Sequence, residues 1–280
     1  MAVKNLALVS TVKQLPGADL ERTVAALQIQ LERDFEPIWN IQAKLRLFPN
    51  VHKIPKGWWP ILIVKEIEAG YSSYHTVSNG IPNARISYAD QWQLGVSHDM
   101  LEMLADPWCN RVVEGKAIKP GARGKVRYLV QICDPCSSPD YAYQIDGVTV
   151  SDFCTPDFFS DRPAEKYSFT GAAKKPLEIL KGGYLSWIDP RTNHWWQKNW
   201  WGAKPEYRDL GAASESTTAS LTDTPLADES KPPKKRMRRV PMQIVSLRED
   251  FLLVQRAENS EARKADRIIQ ELIARFGTIE

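Results

Sequence analysis

The sequence predicts an α+β fold: a mixed sheet, a helix that concentrates ionisable side chains, a disordered linker and a C-terminal amphipathic helix. Three observations carry this. Compact apolar runs such as Ile61-Leu62-Ile63-Val64 read as buried strands. The stretches 19–34 and 98–105 repeat apolar residues at helical spacing. Asp146-Gly147 between two short β-prone runs is a favoured two-residue hairpin turn, and strands and helices alternate without a regular β-α-β beat.

Length and composition set the frame. With 280 residues, 43% of them hydrophobic and 25% charged, the chain suits one sizeable core domain plus an extension. Net charge is +3, too small for the chain as a whole to act as a polyanion binder. The sequence lacks an apolar run of about 18 residues, so no membrane span is expected. Met1–Ser10 is too short and polar for a secretory leader, and a cytoplasmic protein is the expectation.

The elements follow in order. Residues 3–12 read as a strand. Asp19 is placed to cap a helix reaching Asp34, with Leu20, Val24, Leu27 and Leu31 on one face. Ile41–Phe48 alternates apolar and polar residues as a half-buried strand, and Pro60–Ile67 holds the buried one. Residues 69–83, rich in Gly, Ser and Asn, read as a loop carrying Tyr74 and His75. Ala84–Tyr88 is a short strand, either a sheet edge open to an extended peptide or an ordinary internal strand. A helix from Ser97 stops at Pro107, residues 126–133 form a strand, and Tyr141–Ile145 with Val148–Phe153 form the hairpin.

The chemistry concentrates in Ser97-His98-Asp99-Met100-Leu101-Glu102-Met103-Leu104-Ala105-Asp106-Pro107. Residues four apart share a helix face, so His98 and Glu102 lie together. Imidazole nitrogen and carboxylate oxygen are both zinc ligands, and a catalytic site takes about three protein ligands plus water. Asp106 is a third candidate, because Pro107 disfavours helical backbone at residue 106 and lets the chain turn back. Asp134 and His75 are further candidate ligands. Asp99 stands where a general base would act on bound water. Tyr74 or His75 is placed to stabilise an oxyanion.

The same run resembles the S-H-E-x-L-E-M-L-x-D-P signature of an uncharacterised bacterial family regarded as zinc-metalloprotease-like, with H-E-x-x-E-x-x-x-D-P at its heart. Tyr128-Leu129-Val130-Gln131-Ile132-Cys133-Asp134-Pro135-Cys136, Gly147-Val148-Thr149-Val150-Ser151-Asp152-Phe153 and Gly182-Gly183-Tyr184 extend the likeness over roughly residues 1–200. The resemblance implies a zincin-like layout and His98, Glu102 and Asp106 as ligands. Two positions depart from the family pattern: Asp99 replaces Glu, and Gln131 replaces an acidic residue.

Cys133 and Cys136 form a C-x-x-C which, with Cys109 and Cys154, reads either as four reduced thiols or as an all-cysteine zinc site. Five of the ten tryptophans fall at Trp187, Trp195, Trp196, Trp200 and Trp201, as packing groups or as an aromatic platform. The domain organisation expected is 1–205 for the zincin-like domain, 206–240 for a disordered linker and 241–280 for a helical tail. The basic run 231–239 is either solvated or a polyanion contact. The apolar face over 260–276 suits a protein partner or self-association.

These readings converge on a metal-dependent hydrolase, a zinc peptidase acting on a peptide or protein through metal-activated water, with Ca2+ the lesser alternative to Zn2+. The other reading is a degenerate metal-binding or scaffold protein, acting through its basic run and terminal helix on a partner or nucleic acid.

Overall fold

A computed structural model describes residues 2–67, 72–78, 80–160 and 162–213. Residues 231–239 and 260–276, and most of the expected linker, lie outside them. Rather than one domain to residue 205, the chain forms two compact units. Among the described residues the first holds 2–104 with 144–150, and the second holds 105–143 with 151–213. Helices and sheets are mixed, as expected, and no described helix is long and apolar enough to cross a membrane.

The first unit is built on a five-stranded sheet. In chain order its elements are β1 (Lys4–Ser10), helix α1 (Gly17–Ile29), a short helical continuation α2 (Glu36–Trp39), β2 (Ala43–Leu47), β3 (Trp59–Val64), β4 (Ser73–Ser78), β5 (Ile81–Ser87) and helix α3 (Trp92–Ala105). The sheet order is β2-β1-β3-β5-β4. β1, β2, β3 and β5 run parallel, and β4 runs antiparallel beside β5. β1-α1-β2 is therefore a β-α-β crossover that the sequence reading did not contain. Every residue of β3 is buried, as a central strand covered on both faces requires.

The helix after β1 departs from expectation at both ends. Asp19 does not cap it: Pro16 occupies that position without a side-chain bond, and Asp19 sits in the first turn, accepting from Arg22 at 2.8 Å. Past Asp34 the helix runs on through a wide turn, Gln30–Phe35, and ends at Asn40, whose φ of 54° is left-handed. Leu20, Leu27 and Leu31 are buried on its apolar face.

The segment expected as a loop contains β4. Ser-Tyr-His-Thr-Val-Ser is rich in strand formers. Ala84–Tyr88 is consequently not an edge. It belongs mostly to β5, paired on one side with β3 and on the other with β4, and β4 is the edge strand.

In the second unit β6 (Val112–Lys116), β7 (Lys125–Leu129), β10 (Tyr184–Asp189), β11 (His194–Asn199) and β12 (Glu206–Ala212) form an antiparallel sheet in the order β12-β11-β10-β7-β6. β12 corrects the start of the expected linker: residues 206–212 pair with β11 along its whole length. Trp187 and Trp195 are each 1% exposed and pack as core, and Trp187 lies 5.8 Å from Tyr128 ring to ring. The hairpin β8 (Tyr143–Ile145) and β9 (Val148–Val150), whose residues 144–150 belong to the first unit, forms as expected, with Asp146 and Gly147 at φ 49° and 76°. Residues beyond Val150 leave it.

Candidate metal centre

α3 and β4 bring the ionisable residues of the first unit together. Register places His75 opposite Ala84 and Ser73 opposite Ile86. Side chains two apart on a strand share a face, so Ser73 and His75 lie on one side of the sheet and Tyr74 on the other. Tyr74 is there with Arg85, whose guanidinium lies 5.8 Å from its ring centre. α3 covers the His75 side. Its approach depends on Gly95, where an added Cβ would lie 3.2 Å from Ile86 Cγ2 and 3.4 Å from Ser73 Oγ. One turn further along α3 come His98, Asp99 and Glu102.

His75 Nδ1 lies 3.7 Å from Asp99 Oδ1 and 3.6 Å from Glu102 Oε2. The other oxygen of Glu102, Oε1, lies 3.4 Å from His98 Nε2, as the spacing of four predicts. One carboxylate thus stands between two imidazoles. The His75, Asp99 and Glu102 side chains are 6%, 4% and 4% exposed, and His98 is the most open at 18%.

These separations are longer than ordinary N–H···O hydrogen bonds. They lie close to the spacing of ligand atoms around one ion: tetrahedral bonds of 2.0–2.2 Å hold their ligands about 3.3–3.6 Å apart. Asp99 Oδ2 is buried and has no hydrogen-bond partner. Two buried carboxylates side by side are costly unless a cation neutralises them. His75, Asp99 and Glu102 each offer a ligand atom within 4.8 Å of the others and could hold a divalent ion.

His75 lies on a strand at ligand distance from two carboxylates, and Asp99 lies among the candidate ligands. Asp106 belongs to the second unit, where Oδ1 accepts from the backbone N–H of Asn110 and Arg111, both at 2.9 Å, and Oδ2 accepts from Gln131 Nε2 at 3.3 Å. It ties down the turn after α3, and Gln131, noted as a departure from the family pattern, is one of its donors. Asp134 also lies in the second unit, buried at the head of a short 3-10 turn, Asp134–Cys136.

Cys133, Cys136 and Cys154 are buried free thiols and Cys109 is half-buried. Burial pushes the Cys154 thiol up, partly offset by a hydrogen bond with Cys136. Burial also raises the Asp152 carboxyl. Thr170 N and Oγ1, at 3.0 and 2.7 Å, and Phe153 N, at 2.9 Å, donate to it. Gly183 packs its Cα against the turn that follows Cys133: an added Cβ would lie 2.8 Å from Asp134 O and 2.6 Å from Pro135 C.

Comparison of the chain with protein-family models, with curated proteins and with solved structures finds no match.

Proposed function

We propose that the chain is a metal-dependent hydrolase of zincin-like layout, acting on peptides with an ion held by His75 Nδ1, Asp99 and Glu102 Oε2. The observation that carries this reading is the spacing of 3.6 and 3.7 Å about His75 Nδ1, beyond a hydrogen bond and suited to ligands of a shared ion. When bound, a divalent ion supplies Lewis acidity toward a carbonyl and lowers the pKa of water.

The chain's own residues take the remaining roles. His98, the most exposed of the four, stands against Glu102 Oε1 and is placed to accept the proton of an attacking water and return it to a leaving amine. This reassigns the base from Asp99 to His98. β4 carries His75 and has β5 as its sole strand neighbour among the described residues. An extended peptide added along the outer edge of β4 would run past His75 with its backbone hydrogen-bonded. The donor set, one imidazole nitrogen and two carboxylate oxygens, suits zinc first.

The test is turnover of a mixed peptide library by the full chain after chelation and reloading with Zn2+. Asp99→Asn and His98→Gln serve as variants. Zinc-dependent cleavage lost in both variants is the expected result. Cleavage that survives Asp99→Asn, or that is absent from zinc-loaded wild type, overturns the reading.

A further inference from the structure

The second unit carries a cavity of about 470 Å³ between the turn at Lys119–Arg123 and the β10–β11 turn. Its volume lies within the range of small-molecule sites. Pro120, Val126 and the Trp196 indole supply apolar wall, and Lys119, Arg123 and Arg191 supply charge. The single carboxylate in the lining, Asp189, is already engaged: Arg191 Nε and Nη2 donate to it at 2.9 and 2.6 Å. That pairing holds the Asp189 carboxyl below its ordinary range.

Lys119 and Arg123 also face the space. The Lys119 ammonium sits 3.9 Å from the centre of the Trp196 ring, which fixes its position at the cavity wall. Arg123 is exposed and makes no ion pair with any described residue. Arg191 Nη1 takes no part in the two bonds to Asp189 and points toward Gly124. A pocket with three cations, one committed carboxylate and an indole wall is complementary to a small anion with a flat apolar body.

The geometry points to this cavity as a binding site for a small organic oxyanion, a carboxylate or a phosphate monoester carried on a ring. Lys119 and Arg123 hold the oxyanion and the ring lies against Trp196 and Pro120. The site is separate from the candidate metal centre, and its test does not depend on metal or turnover.

Calorimetric titration of the full chain with phenyl phosphate, benzoate and the neutral benzyl alcohol tests it. Saturable binding of at least one anion is expected, about tenfold weaker in Arg123→Ala and in Lys119→Gln, and weaker at high salt. Preference for phenyl phosphate assigns a phosphate monoester, and preference for benzoate assigns a carboxylate. The proposal is overturned if neither anion binds at millimolar concentration. It is equally overturned if benzyl alcohol binds as well as the anions, or if Arg123→Ala leaves binding unchanged.

Discussion

Gly95→Ala is the most informative single substitution in the scaffold, because two opposing effects decide its sign. At an unhindered helix position, Ala in place of Gly stabilises by about 1 kcal/mol. At residue 95 the new methyl would lie 3.2 Å from Ile86 Cγ2 and 3.5 Å from Ser73 Cβ. Ile86 is 1% exposed within β5, between β3 and β4, so it has no room to retreat. α3 must lift or Ile86 must leave its rotamer, and overpacking of this kind costs about 1–3 kcal/mol. The strain outweighs the propensity gain, and the net expected loss is about 1 kcal/mol. Urea unfolding of the full chain reads it as a lower midpoint with unchanged slope. A double-mutant cycle with Ile86→Ala isolates the clash: removing Cγ2 relieves the strain at residue 95, giving a coupling of about 0.5–3 kcal/mol. A raised midpoint for Gly95→Ala, or strict additivity with Ile86→Ala, would refute the close packing of α3 on β4 and β5. The placement of Asp99 and Glu102 beside His75 would then lose its structural basis.

Three further outcomes follow. Gly183→Ala drives a methyl into the backbone of Asp134 and Pro135, which cannot swing aside. It should destabilise the second unit by about 3 kcal/mol or more, seen as loss of soluble yield or a strongly lowered unfolding midpoint. Asp152 has its folded pKa raised above 3.8, so its ionisation disfavours folding above that folded pKa. Wild type should therefore gain stability relative to Asp152→Asn as pH falls through the folded pKa toward 3.8; the opposite trend in paired denaturation curves contradicts the assignment. The Asp189 carboxyl is shifted down, so its stabilising contribution is present above 3.8 and lost as pH falls through the folded pKa. Arg191 is half-exposed, so Arg191→Ala should lower the unfolding midpoint only slightly at neutral pH, with the difference vanishing in acid.

The core elements were legible because their patterns are local. The apolar run at 61–64, the helical period at 20–31 and Asp146-Gly147 each specify their own backbone. β4 escaped notice because its strand formers lie in a stretch crowded with turn residues, and its pairing with β5 is a tertiary fact. The same gap hid the edge: nothing in Ala84–Tyr88 says that another strand lies beyond it. The pairing of His98 with Glu102 could be read from helical geometry alone. His75 reads as a loop residue, although Tyr74, Thr76 and Val77 around it are strand formers. Asp106 is a candidate ligand in the sequence only because Pro107 lets the chain turn back there, and in the structure its carboxylate bonds that turn. Gly95 was the neglected signal. A glycine inside a helical pattern marks a close approach, and here that approach sets the site.

Elemental mass spectrometry of the full chain after zinc loading and removal of free metal tests the central claim most directly. Wild type should carry about one zinc per chain. His75→Ala and Glu102→Gln should lose it, and Asp106→Asn, whose carboxylate is occupied by Asn110, Arg111 and Gln131, should keep it. Zinc retained in His75→Ala, or absent from wild type, would contradict a metal centre built by β4 and α3.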